Sequence, residues 1–224
     1  MRNTQLGKLS SAALVAVLMS STLIAQAPPP RPAPIMPPSL PPAHVVDLMA
    51  QPGIATFAGQ WKVADVKIVE VPAIPNAMPQ YKTTYNIEPK AGAADYDDSS
   101  WQTIDAKDLA ARRGGGHVSF LWYRTSLTIP EKIASFETAG AVAVLSVTVD
   151  DYAEVWVNGA IPGRSGYPSP ATIQGHNMPQ RVVLGTSVKA GDKFQIAIFG
   201  INGPISIAPA NTVWFREAKL EFFK

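Results

Sequence analysis

The chain has 224 residues, contains no cysteine, and carries 19 Lys and Arg residues against 17 Asp and Glu residues. Arg2 and Lys8 lie near the N-terminus, so residues 28–224 carry equal numbers of the two charges, which argues against a nucleic-acid partner or a polybasic membrane-binding role. Without cysteine there are no disulfides, no thiol chemistry and no lipid-modified cysteine, so a packed core has to stabilise the fold.

Residues 1–27 have the pattern of a secretory signal peptide. Arg2 and Lys8 precede a mostly apolar stretch over 12–24, and a small-x-small motif ends at Ala27. This stretch is shorter than the roughly 20 apolar residues that a bilayer-spanning helix needs. We therefore expect cleavage after Ala27 and a periplasmic or secreted location. Retention of the segment as a membrane anchor is the alternative.

Residues 28–42 contain nine prolines, and we assign them to a proline-rich linker. Proline has a fixed φ and no amide hydrogen, so this stretch cannot form a helix or a central strand and favours an extended polyproline conformation. It either holds the following domain away from a membrane, a wall or a partner, or it is a tail without a function.

Residues 43–224 are predicted to form one all-β domain. Short stretches of strand-like alternation end at Gly, Pro or Asn, and long helical periodicity is nearly absent, which is typical of a β-sandwich or barrel. A short helical turn is predicted over 106–113, and Asn158-Gly159 favours a two-residue hairpin turn. The predicted strands are 63–71, 120–130, 141–149, 153–157, 193–201 and 211–223.

Four motifs stand out between residue 96 and the C-terminus. The stretch "YDDSSWQTIDAKDL" is followed by "LWYRTSLTIP", and later come "AVLSVTVDDYAEVWVNG" and "VKAGDKFQIAIFGING". Together they resemble the jelly-roll sugar-binding domain found beside glycoside hydrolase family 2 catalytic barrels. The resemblance covers Asp95 to the C-terminus and implies a jelly-roll β-sandwich of the galactose-binding-domain-like class. It implies less about a ligand, because many members of that fold only pack against a catalytic neighbour.

The preceding stretch, residues 44–92, resembles a leader domain that comes before gluconolactonase-like propellers in some exported bacterial proteins. No six-bladed propeller fits in this chain. The resemblance therefore implies an accessory module without the lactonase.

Asp150 and Asp151 lie between a predicted buried strand and the Asn158-Gly159 turn. Aspartate side chains accept hydrogen bonds from backbone N–H groups in turns, so we interpret the two acids as a solvated strand-to-strand turn. Calcium takes six or more oxygen ligands, which two neighbouring carboxylates do not supply. We expect no cofactor; a structural calcium ion, as in some domains of this fold, is the alternative.

An enzyme is the third hypothesis for this chain. A glycosidase needs two carboxylates about 5–10 Å apart on opposite sides of a glycosidic bond, and Glu154 with Glu217 is the one pairing we consider. We interpret both as half-exposed strand acids that balance Arg124 and Arg216. Ser165 lacks the nucleophile-elbow pattern, and the three histidines have no metal-ligand spacing.

Two loops carry the candidate binding residues. In the Gly-rich loop, Arg113 and His117 can donate hydrogen bonds to sugar hydroxyls or carboxylates; the alternative is a flexible connection to the next strand. A longer loop over 161–181 combines an aromatic ring with several donors, as sugar recognition requires; the alternative is packing on an adjoining protein. The candidates in the longer loop are Arg164, Tyr167, His176 and Asn177.

These observations favour an exported, non-catalytic carbohydrate-binding module. The alternative is a protein-docking accessory module of a periplasmic enzyme or complex related to glycoside hydrolases or gluconolactonases. The expected partner is a carbohydrate or a periplasmic protein. We expect no nucleic-acid partner, and a membrane only if the signal segment is retained.

Overall fold

Short strands joined by turns make up most of the chain described by the computed structural model, which covers residues 37–73, 83–162, 177–203 and 210–224. The chain divides into units 1–31 and 32–224, and the second unit holds the described elements. The strands are β1 (His44–Asp47), β2 (Trp61–Asp65), β3 (Lys67–Val71), β4 (Thr84–Glu88), β5 (Gln102–Ile104), β6 (Arg113–Gly114), β7 (Ser119–Thr128), β8 (Lys132–Ile133), β9 (Phe136–Glu137), β10 (Val142–Asp150), β11 (Tyr152–Val157), β12 (Gln180–Gly185), β13 (Lys193–Asn202) and β14 (Thr212–Phe223). The helices are α1 (Gln51–Thr56) and a 3-10 helix over Ala106–Ala110, which lies within the predicted helical turn.

Two antiparallel sheets form the body of the fold. Sheet I has the order β1-β14-β10-β12, and β6 pairs with the start of β14. Sheet II has the order β11-β13-β7-β2-β5. Two small ribbons, β3-β4 and β8-β9, complete the described strands. The predicted all-β sandwich is confirmed; the jelly-roll subtype stays a prediction.

The main hydrophobic core lies between the two sheets, because the strands alternate in the way their sequences predict. Leu145 and Phe215 of sheet I point inward, as do Trp61 and Tyr123 of sheet II. The Trp61 indole is fully buried and donates a hydrogen bond of 3.0 Å to the carbonyl of Leu48. Burial of such side chains is worth about 1.5–3 kcal/mol each and is the dominant stabilising term.

A second hydrophobic cluster covers the outer face of sheet II. Trp122 and Phe199 point outward there, and their ring centroids are 5.0 Å apart. The segment between β4 and β5 lies across this face and adds Ala91 to the cluster. Consequently β7 is buried on both faces along most of its length, although its sequence alternates.

The predicted strand over 63–71 is wrong as one element, because the chain breaks at Val66 into β2 and β3. The side chain of Val66 packs on the second cluster, and its amide donates to the carbonyl of Phe120 at 3.2 Å. Strand β2 thus stays in sheet II, whereas β3 pairs with β4 in a separate ribbon.

The Asn158-Gly159 turn forms as predicted, with φ angles of +49° and +83°. Positive φ at both central residues is the signature of a type I′ hairpin turn. The following chain makes one bridge, Val157 to Ala160, and β12 then pairs with β10 in the other sheet. The sequence predicts the turn itself, but it does not predict that the next strand, β12, pairs with β10 in the other sheet.

Five strand ends meet at one end of the sandwich, which we call the loop end. The pairing registers bring Ser119 of β7 opposite Asn202 of β13, and Tyr152 of β11 opposite Ile201. Strand β10 ends there at Asp150, which pairs with Trp214 near the start of β14. The connection from β6 to β7, which holds the predicted Gly-rich loop, lies at this end.

Candidate functional site

Several residues from the motifs that resemble glycoside hydrolase family 2 domains hold the segment between β4 and β5 against the outer face of sheet II. Asp98 forms ion pairs with Arg124 at 2.9 Å and with Lys62 at 2.6 Å. Trp122 donates a hydrogen bond of 2.8 Å to the carbonyl of Pro89. Asp97 accepts the amide of Ser99 at 2.9 Å, which stabilises the turn. These side chains are therefore structural.

Arg124 is the centre of this arrangement, with 1% of its side chain exposed. Its guanidinium donates to the Asp98 carboxylate and to the carbonyls of Ala91, Ala93 and Tyr96. Burial opposes ionisation of Asp98, but hydrogen bonds from Lys62 and Arg124 outweigh it and lower the pKa of this carboxyl.

Asp150 and Asp151 form the crossing from sheet I to sheet II, through a cis peptide bond. The predicted solvated turn is wrong, because the two residues are only 8% and 6% exposed. Asp150 accepts a hydrogen bond from Arg216 at 3.1 Å, and Asp151 accepts the amide of Gly203 at 3.1 Å. Burial opposes ionisation of Asp150, yet hydrogen bonds including that from Arg216 lower its pKa. The turn is a buried part of the scaffold.

Glu154 and Glu217 lie on opposite outer faces of the sandwich. Glu154 accepts a hydrogen bond from the Trp156 indole at 3.3 Å on sheet II, and burial raises its pKa. Glu217 accepts from Ser146 and from Lys219, at 3.2 and 3.0 Å, on sheet I. Both sheets separate the two carboxylates, so they cannot flank one glycosidic bond. Their partners are not the predicted Arg124 and Arg216.

The Gly-rich loop between β6 and β7 is held in place rather than free. The Ser119 hydroxyl donates to the carbonyl of Asn211 and accepts the amide of Gly115 at 3.2 Å. The Asn211 amide in turn donates to the carbonyl of Gly116 at 2.8 Å. His117 lies at the exposed tip, where its carbonyl accepts from the Asn211 side chain. The loop is therefore tied to the start of β14.

Arg113 begins this loop and points toward the space between the sheets. Its guanidinium donates 3.1 Å to the carbonyl of Ala111 and lies 5.8 Å from the ring centroid of Tyr123. The neighbouring Arg112 packs over Trp214 instead, at 4.5 Å. The chain turns after Arg113 at Gly114, whose φ of +87° is a conformation that glycine adopts without strain.

A cleft of about 480 Å³ opens between the β2-β5 edge of sheet II and β6. Its lining combines an aromatic ring, two amide or hydroxyl side chains and two charges of opposite sign. The polar and aromatic lining residues are Asp65, Ser100, Trp101, Gln102 and Arg113. This is the mixture that sugar recognition uses: a flat apolar surface for one ring face and planar polar groups for the hydroxyls.

Tyr123 lies behind this cleft with its whole side chain buried. Its hydroxyl meets no described group with full hydrogen-bond geometry, although Arg113 lies close enough to favour the ionised form. Burial is the larger effect and raises the pKa of Tyr123 to about 12. The charge of Asp65 adds to this increase, so Arg113 and Asp65 both act on one buried hydroxyl.

The predicted binding residues do not all meet at this cleft. Arg113 lines it, and His117 is exposed on the same loop outside the lining. The Asn177 amide donates to the carbonyl of Asp151 at 3.0 Å, beside β11, at the opposite edge of sheet II from β5. The remaining candidates lie outside the described residues: Arg164, Tyr167 and His176.

The sequence patterns did not identify Asp65, Trp101 or Gln102 as candidate binding residues, although all three line the cleft. Asp65 ends a strand and Gln102 begins one, which are positions without a local signal for binding. They come together with Arg113 only because β2, β5 and β6 converge at the loop end. The hydrophobic periodicity of a sequence predicts individual strands but not which strands lie next to one another in the fold.

Neither a metal cluster nor a spanning helix is found in the described ranges. No group of three His, Asp or Glu side chains there could hold a metal ion. No helix among the same residues is long and apolar enough to cross a bilayer.

No protein-family model and no curated protein matches the sequence. Similar solved structures include a glycoside hydrolase family 2 member from Bacteroides cellulosilyticus, with 15% identity over 75% of this chain and 20% of that one, and a TM-score of 0.44. A β-glucuronidase from Faecalibacterium prausnitzii has 13% identity, covers 84% of this chain and 32% of its own, and has a TM-score of 0.41. A putative β-galactosidase from Bacteroides fragilis has 16% identity over 72% of this chain and 23% of that one, with a TM-score of 0.30.

The chain thus spans between 20% and 32% of the length of these three proteins. The family that the sequence motifs resemble is also the one that the structural comparison returns. All three TM-scores lie below 0.5, so the fold assignment rests on the strand order and register described above.

Proposed function

We propose that this protein is an exported, non-catalytic carbohydrate-binding module that contacts its glycan at the loop end of the sandwich. The observation that carries the proposal is the cleft beside β6, where Trp101, Gln102 and Arg113 line one space. An indole face matches the apolar side of a sugar ring, and amide and guanidinium groups donate hydrogen bonds to its hydroxyls. Binding pockets combine an apolar surface with a few such polar groups.

The separation of Glu154 and Glu217 supports a non-catalytic role, because the acid pair considered from the sequence cannot act on one bond. Turnover of an aryl glycoside or an aldonolactone that is lost in Glu154→Gln would contradict this part of the proposal. The module would then act on its sugar rather than only bind it.

The test is a glycan and polysaccharide panel read by the melting temperature of the protein and then by calorimetric titration. Arg113→Ala should weaken binding of a confirmed glycan about tenfold or more, the loss expected for a charge-assisted hydrogen bond. Arg112→Ala is the matched control, because the adjacent guanidinium packs over Trp214 outside the cleft lining. If the two substitutions changed the affinity equally, the glycan would not bind at this cleft.

The second candidate function is protein docking, and the β3-β4 ribbon favours it. Ile68 and Tyr85 are 45% and 62% exposed on this ribbon, which is paired with neither sheet among the described strands. Isolated two-stranded ribbons are marginally stable, and exposed apolar residues mark interaction surfaces. Docking predicts a partner that co-purifies from native extract and is lost in Ile68→Ser, with glycan binding unchanged. A solitary monomer from that extract would argue against docking.

A further inference from the structure

The cleft holds an unpaired charge of each sign. Asp65 lies at the end of β2 and Arg113 at the start of β6, and both line the cleft. Within the described ranges, no ion pair within 4.0 Å involves either residue. On the other face of the same region, Lys62 and Asp98 are directly paired at 2.6 Å. The two cleft charges therefore remain available to a third molecule.

Both charged side chains line the same cleft. The Arg113 guanidinium lies 5.8 Å from the ring centroid of Tyr123, and its charge favours ionisation of the Tyr123 hydroxyl. The carboxylate of Asp65 acts on the same hydroxyl in the opposite sense. A donor group and an acceptor group thus line one cleft, together with Gln102 and Trp101.

We propose that Arg113 and Asp65 select an uncharged sugar with a vicinal diol over a uronic acid. This inference rests on the carbohydrate-binding function proposed above. The diol oxygens accept hydrogen bonds from the guanidinium, and the diol hydroxyls donate to the carboxylate, so one neutral group satisfies both charges. A sugar carboxylate would form an ion pair with Arg113 but would be repelled by the like charge of Asp65. This repulsion would select against acidic sugars.

The experiment compares neutral disaccharides of glucose, galactose and mannose with the same disaccharides oxidised to the carboxylate at C6. Affinities are measured by calorimetric titration on the wild-type protein and on Asp65→Asn. We expect the wild type to prefer a neutral sugar by about tenfold, an ordinary effect of one uncompensated charge in a binding site. Asp65→Asn should weaken the neutral sugar several-fold, strengthen its carboxylate form and reverse the preference.

Asp95→Asn is the matched control, because Asp95 is exposed and does not line the cleft. It should leave the preference unchanged. Unchanged circular dichroism and melting temperature show that Asp65→Asn is folded, as expected for an exposed side chain. Raising the salt concentration should reduce the discrimination in the wild type, since charge repulsion near a surface is screened.

A wild-type protein that binds the carboxylate form more tightly overturns the inference, and so does an unchanged preference in Asp65→Asn. Both outcomes leave the carbohydrate-binding function standing, because a sugar is bound in each. Failure of every neutral and acidic sugar to bind overturns the proposed function and this inference with it.

Discussion

Arg124 and Asp98, two residues of the recognisable motifs of this chain, stabilise the fold rather than bind a ligand. Arg124 comes from the "WYR" motif and Asp98 from the "DDSSW" motif, and the ion pair between them fixes the segment across sheet II. The sequence identified both motifs and the fold they imply. It could not show which acid pairs with Arg124, because Asp98 lies 26 residues away and only the folded chain brings the two together.

Replacing Arg124 with alanine should strongly destabilise the protein. The substitution removes a buried guanidinium, so Asp98 keeps only Lys62 as an ionic partner and the carbonyls that Arg124 contacts lose their hydrogen-bond donor. We therefore expect a loss of about 3–5 kcal/mol in the free energy of unfolding. Urea denaturation measures it. Lys132→Ala is the control, because the Lys132–Glu137 pair is more than half exposed and should contribute little to stability. Similar losses in both variants would contradict the structural role of Arg124.

The same ion pair predicts a pH dependence of stability. The folded-state pKa of Asp98 is lowered, so its contribution is present above the unfolded pKa of about 3.9 and is lost as the pH falls through the lower folded value. Asp98→Asn should therefore be less stable than the wild type at pH 7. The difference should shrink as the pH is lowered below about 4.

Urea denaturation of both proteins between pH 7 and pH 2.5 measures this difference. A gap that stays constant across the range would show that the carboxylate charge is not what stabilises the segment. Asp95→Asn controls for the loss of a charge in the same part of the chain, since Asp95 is exposed and has no described ion pair.

At the scale of elements, the sequence predicts the long strands well and the short ones poorly. The strands β7, β10, β13 and β14 lie within one or two residues of their predicted bounds, because alternation over nine or more residues is a strong signal. Strand β5 has three residues and β6 has two, too few to show a period. The cleft is built from these short strands, which is why the candidate site was only partly predictable.

The position of β6 depends on Gly114. Its φ is +87°, and a Cβ atom there would lie 2.0 Å from the Ser119 hydroxyl oxygen, which also holds the loop to Asn211. Gly114→Ala should therefore cost more than the roughly 1–2 kcal/mol of a left-handed alanine, displace Arg113 and weaken glycan binding. Gly140→Ala is the matched control: its φ is +76°, and no atom lies within 4 Å of the added Cβ.

Urea denaturation and glycan titration of the two glycine variants distinguish the cost of a positive φ angle, which both variants share, from the steric clash with Ser119, which only Gly114→Ala has. Gly140→Ala should lose about 1–2 kcal/mol of stability and keep its affinity, since it lies far from the cleft lining. If Gly114→Ala also keeps its affinity, Arg113 does not act through the conformation of β6.

For the whole molecule, the two-sheet frame separates the predicted binding residues into two regions. Arg113 lies beside β2 and β5, whereas Asn177 lies beside β11 at the other edge of sheet II. The sequence placed Arg113 and Asn177 in two separate loops. It could not place the two loops relative to each other, because their positions depend on strand order and not on local pattern.

A glycan that binds the folded state alone must raise the melting temperature of the whole protein. At a free concentration one hundred times the dissociation constant, binding adds about 2.7 kcal/mol, which corresponds to roughly 5–11 °C for a domain of this size. Arg113→Ala, with binding weakened about tenfold, should lose about half of this shift at the same glycan concentration, and Arg112→Ala should retain it. A full shift in Arg113→Ala would mean that the glycan binds the native protein outside the cleft, leaving the Asn177 edge as the region to test next.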